Sequence, residues 1–78
     1  MIPKPGMYKH YKGGLYVVVG VAQHTEKGEQ FVIYYPKRFA PPEMSLYARP
    51  LNMFSARILH KKKLVPRFRR LTLEDLTT

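Results

Sequence analysis

Apolar and polar positions along this chain group into short runs separated by Gly, Pro and Lys, a pattern of strands and tight turns with little helix. Residues 7–11 form a brief aromatic run that Lys12-Gly13-Gly14 ends with turn chemistry. Residues 15–24 are rich in Val and Tyr, a composition that suits a pleated strand better than a helix. Strict alternation puts Leu15, Val17, Val19 and Val21 on one face, with Tyr16, Val18 and Ala22 on the other. Gly20, in the middle, predicts a bulge or sharp bend. Thr25-Glu26-Lys27-Gly28 reads as a hairpin tip, with Gly28 free to take a positive φ. Residues 29–35 then return as a strand in which Phe31, Ile33 and Tyr35 alternate with Gln30, Val32 and Tyr34.

Residues 36–43 read as a loop stiffened by Pro41-Pro42. A short strand is expected over 45–49, and Pro50 is suited to open a turn of helix reaching Phe54. Residues 56–59, the tip His60-Lys61-Lys62-Lys63 and residues 64–71 read as a further hairpin, with Pro66 placing its last strand at an edge or at its own start. Thr72-Leu73-Glu74-Asp75 resembles a short capped turn. The expected plan is an extended lead-in over 1–6, one small β domain over 7–72 and a frayed tail over 73–78. The fold class is mainly β, a small antiparallel barrel or half-barrel with SH3-like or OB-like shapes as nearest models. At 78 residues the core must be thin and must rely on large side chains.

Charge changes the picture more than composition does. There are 14 Lys and Arg against 5 Asp and Glu, a net charge of +9. Residues 44–73 carry Arg49, Arg57, Lys61, Lys62, Lys63, Arg67, Arg69 and Arg70 and no acid, and residues 1–25 carry Lys4, Lys9 and Lys12 and no acid. If the two terminal segments pair in one sheet, Lys9 and Lys12 join Arg67, Arg69 and Arg70 on one surface, which attracts phosphates. Tyr8, Tyr11, Phe39 and Phe68 are interleaved with this charge. A basic groove with aromatic platforms suits nucleic acid, the favoured partner, and the candidate contacts are Lys9, Lys12, Lys61, Lys62, Lys63, Arg67, Phe68, Arg69 and Arg70. The competing reading makes these aromatics core residues and the lysines a solvated tip.

The ordered set His10-Tyr11-Lys12-Gly13, Gly20-Val21-Ala22, His24 with Glu26 and Glu29, Arg49-Pro50-Leu51, Met53-Phe54 and Pro66-Arg67-Phe68 resembles a bacterial family of short proteins, the domain of unknown function 1653. The chain departs from that pattern in a longer, more Pro-rich segment over 37–43 and in Tyr47, where a Trp is expected. The resemblance implies a bacterial or phage-borne cytosolic protein and carries no activity with it.

Other chemistry is sparse. His10, Tyr11, His24, Glu29 and Arg49 outline an alternative pocket for a nucleotide or phosphorylated small molecule, with Lys12 and Glu26 beside it and weak acid–base catalysis within its reach. An ordinary cross-strand pairing of these residues at a solvated hairpin is the plainer reading. A third reading is a protein-interaction module or inhibitor that offers an edge strand or the Pro41-Pro42 loop to an acidic partner. The histidines lack zinc spacing and there is no cysteine, so no metal and no cofactor are expected, and the balance falls toward binding without catalysis. No apolar run is long enough to span a bilayer and no secretory leader is evident, so a cytoplasmic location without membrane contact is expected.

Overall fold

The computed structural model describes residues 2–38 and 45–77. In chain order the elements are β1 (Gly6–His10), β2 (Leu15–Gln23), β3 (Gln30–Pro36), β4 (Tyr47–Pro50), α1 (Leu51–Phe54), β5 (Arg57–His60), β6 (Lys63–Pro66), β7 (Phe68–Arg70) and α2 (Leu73–Thr77). Five strands form one antiparallel sheet in the order β4-β3-β2-β1-β7, and β5 and β6 form a separate two-stranded ribbon. Since β4 and β7 are opposite edges of the sheet, the fold is the half-barrel of the two expected shapes. Among the described residues no helix is long and apolar enough to cross a membrane.

The core follows from one face of that sheet. Tyr8, Val18, Val32, Tyr34, Phe54 and Phe68 are buried together, and Val18 and Val32 are almost fully enclosed. Phe54 reaches the sheet because Pro50, with φ −51°, starts the single turn α1. Its ring stacks on Phe68 at 4.2 Å and 6° between planes, and meets Tyr8 and Tyr34 edge-on. Such ring pairs contribute about 0.5–1.5 kcal/mol each beyond the area they bury. Burying one complete aromatic layer is how so short a chain makes a core.

The bulge expected at Gly20 is present. Val18 faces Tyr34 and Gly20 faces Ile33, so Val19 is the extra residue on β2. Its insertion corrects the strict alternation read from the sequence. Tyr16 and Val18 point to the core before the bulge, and Val21 rather than Ala22 does so after it.

The last hairpin also differs from expectation. Residues 64–71 do not make one strand: β6 ends at Pro66, and β7 crosses over to pair with β1. Arg67 is the joint. Its N–H donates to the Ala56 carbonyl at 2.9 Å and its own carbonyl accepts from Tyr11 N–H at 2.9 Å, so one residue ties the ribbon to the sheet. Beyond β7, Thr72 N–H donates to the Asp75 carboxylate at 2.7 Å and Asp75 N–H to the Thr72 hydroxyl at 3.2 Å. This reciprocal cap opens α2.

Candidate anion-binding surfaces

Pairing of β1 with β7 places Lys9 opposite Arg69, Tyr8 opposite Arg70 and His10 opposite Phe68. The terminal segments therefore share one sheet, the condition on which pooling of their charge depended. Tyr8 and Phe68 point inward, so Lys9 and Arg69 point outward together. The other arginines of this segment serve the fold: Arg67 Nε donates to the Met53 carbonyl at 3.0 Å and Arg70 Nη2 to the Pro5 carbonyl at 3.2 Å. Arg69 also meets Asp75 at 3.3 Å.

Between β1 and the ribbon runs a cleft of about 320 Å³ lined by Lys9, His10, Tyr11, His60, Val65, Pro66 and Arg69, with no carboxylate in the lining. Tyr11 packs edge-on against His60 at 5.3 Å and lies 4.6 Å from His10, while Lys12 Nζ sits 5.8 Å from its ring centroid. His60 was not among the residues that the sequence nominated. Its place is set by the ribbon register, His60 opposite Lys63, which only the pairing reveals.

The ribbon itself carries Arg57, Lys61, Lys62 and Lys63. Its two turn residues, Lys61 and Lys62, have φ of 51° and 66°. A two-residue hairpin loop with both central residues at positive φ is the type I′ turn, a position that favours Asn-Gly. On the outer face of the ribbon, Leu59 and Leu64 stand opposite each other and are 70% and 64% exposed.

The aromatic platforms are largely withdrawn from this surface. Phe68 is 7% exposed and Tyr8 5%, so both belong to the core, and the stacking role given to Phe68 has no open ring face to rest on. Tyr11 remains half-buried at the cleft wall. Phe39, together with the Pro41-Pro42 loop, lies outside the described residues.

The alternative pocket is divided. His10 stands at the end of β1, beside the start of β2, whereas His24 and Glu29 flank the far end of β2. Nine strand residues separate the two groups, about 30 Å at the usual rise. His24 and Glu29 do meet, through a 2.7 Å backbone hydrogen bond. His24 Nδ1 accepts the N–H groups of Glu26 and Lys27, both at 3.2 Å, so its ring serves the turn. These two residues are thus removed from His10, while Arg49, opposite Val32 on β3, turns its guanidinium toward Phe68.

His10 and Arg49 are brought together, through Phe68. The His10 ring lies 4.9 Å from the Phe68 centroid and the Arg49 guanidinium carbon 5.9 Å from it. Arg49 Nε donates to the Tyr34 hydroxyl at 3.1 Å, which fixes the plane of the guanidinium. His10 Nδ1 accepts the Lys12 N–H at 3.1 Å, leaving Nε2 as the donor nitrogen of the neutral ring. Burial first, then the charges of Arg49, Arg67 and Lys12, hold the His10 pKa below its ordinary value.

Comparison with known proteins agrees with the fold. A family model described as protein of unknown function (DUF1653) matches residues 6–70. A crystal structure of a protein belonging to the same family, from Bordetella bronchiseptica, is 29% identical, with a TM-score of 0.75 over 88% of this chain and 87% of that one. No curated protein matches the chain.

Proposed function

From the premise that the chain belongs to the DUF1653 family, whose description assigns no activity, we propose that it is a non-catalytic cytoplasmic module that binds nucleic acid through the ribbon and the cleft beside it. The observation that carries this reading is the pair of lysines held in left-handed backbone at the ribbon tip. That conformation costs a residue with a Cβ about 1–2 kcal/mol, and glycine avoids it. Lysine gains nothing there for the turn. What it offers is charge at the most projecting point of the ribbon, where Lys63, Lys9 and Arg69 extend the same cationic field. Strain kept at a site that a neutral residue would relieve is a sign of use.

The binding chemistry is phosphate neutralisation by Lys9, Lys61, Lys62, Lys63 and Arg69, with Tyr11 at the cleft wall as the aromatic within reach. The test is the double variant Lys61→Asn with Lys62→Gly. Its melting temperature should rise, because the turn is relieved, while affinity for a short RNA and a short duplex DNA should fall. The log–log salt slope should shrink by about 0.7–0.9 for each phosphate that is no longer neutralised. A more stable variant with unchanged affinity and slope would sink the proposal.

A second reading rests on the exposed Leu59–Leu64 pair, which suits an apolar protein groove with an acidic rim. Changing both leucines to Ser leaves nucleic-acid affinity intact under the first reading and abolishes binding of a protein partner under the second.

A further inference from the structure

We infer that the concave face of the half-barrel holds a phosphate subsite, distinct from the lysines of the ribbon tip though its His10 also borders the cleft beside the ribbon, in which the Arg49 fork, His10 and Lys12 receive the phosphate monoester of a planar base. The starting point is an unmatched charge. Arg49 is half-buried in an aromatic basin, yet among the described residues it makes no ion pair. Its Nε is committed to the Tyr34 hydroxyl, which leaves the two Nη groups as a planar fork held in a fixed direction. Such a fork matches two oxygens of a phosphate. A cation over the Phe68 ring is partly compensated by the ring's negative face, but that interaction leaves the N–H donors of the fork unused.

The surroundings add donors and no acid. His10 touches the same Phe68 ring, with its Nδ1 occupied by the Lys12 N–H and its Nε2 free to donate. Tyr16 also meets Phe68, at 5.5 Å, and lies 6.2 Å from His10. Beside Tyr16 opens a hollow of about 470 Å³ bounded by Gly14, Pro36 and Lys37, a volume within the usual range for small-molecule sites. A ligand with a phosphate at the fork and a flat ring against Tyr16 would satisfy both parts. The phosphate can come from a free mononucleotide or from the 5′ end of a strand.

The subsite does not rest on the ribbon reading, and its test keeps the two apart. Adenosine 5′-monophosphate titrated into labelled protein should move the Arg49 Hε and His10 ring signals and leave Lys61–Lys63 amides in place. Arg49→Lys keeps the charge and loses the fork, so affinity should fall at least tenfold. Lys12→Ala, on an exposed turn, should weaken binding several-fold without touching the core and covers the case in which Arg49→Lys does not fold. The Lys61→Asn, Lys62→Gly variant should bind the nucleotide as wild type does. Preference for a 5′-phosphorylated over a 5′-hydroxyl tetranucleotide would name the strand end as the source, and binding of the mononucleotide alone would name the free form. Unmoved Arg49 and His10 signals, or equal affinity in Lys12→Ala, would overturn the inference.

Discussion

His10 shows how one side chain can belong to the fold and to a candidate site together. Its ring closes the aromatic layer at the open end of the sheet, and its neutral form is the one the fold prefers. With its folded pKa below the ordinary 6.5, the unfolded chain binds the proton more readily. The contribution is fully present above pH 6.5 and is lost as pH falls through the lower folded value. Melting temperatures should decline across that window on acidification, and His10→Gln should flatten the decline; an equal slope in both proteins would refute it. At this scale the sequence was readable in kind but not in role. Phe68 and Tyr8 were visible as large rings next to cations, and only the β1–β7 register turns both inward. His24 looked like a site residue by its neighbours, whereas the turn it caps consumes its acceptor nitrogen.

At the scale of elements, local chemistry was the better guide. Gly28 takes φ +71° at the tip it was expected to make, Pro50 opens α1, and the Gly20 bend is a true bulge. What escaped was the change of partner between β6 and β7. Pro66 lacks an N–H, and Arg67 spends its backbone groups on Ala56 and Tyr11, so the chain leaves the ribbon for the sheet at that point. Nothing local to residues 64–71 announces that change of partner. The Thr72–Asp75 reciprocal cap, by contrast, was legible as a motif. Thr72→Ala removes the hydroxyl that receives Asp75 N–H, and should cost about 1 kcal/mol, within the usual 0.5–2 kcal/mol for an N-cap. Circular dichroism and thermal melting of that variant would check it; no loss at all would mean α2 stands without its cap.

Over the whole molecule, charge is sorted by position. Glu26 and Glu29 sit by the β2–β3 tip, while Lys9, Lys12 and the ribbon lysines gather toward the β1–β2 turn and the last strand. Asp75, which faces Arg69, partly offsets the basic end. The acid-free runs in the sequence anticipated a cationic surface, since segments adjacent in a sheet pool their charge. They did not anticipate that two of the arginines, Arg67 and Arg70, would turn to backbone carbonyls of the fold. A linear count treats every guanidinium as available, and the open half-barrel divides them between scaffold and surface.

The extra residue on β2 has a genetic consequence. Val19 is 51% exposed and lies outside the buried cluster, so exchanges such as Val19→Thr should be nearly silent. Loss of its codon should be tolerated for the same reason. Removing Val19 joins Val18, opposite Tyr34, directly to Gly20, opposite Ile33, so strict alternation returns with Val21 still opposite Val32 and still facing the core. Loss of Ile33 from the unbulged partner strand is another matter, because it would place Val32 and Tyr34 on opposite faces of β3. A scan of single-codon deletions should therefore find position 19 permissive and position 33 intolerant; a Val19 deletion that fails to fold would contradict that.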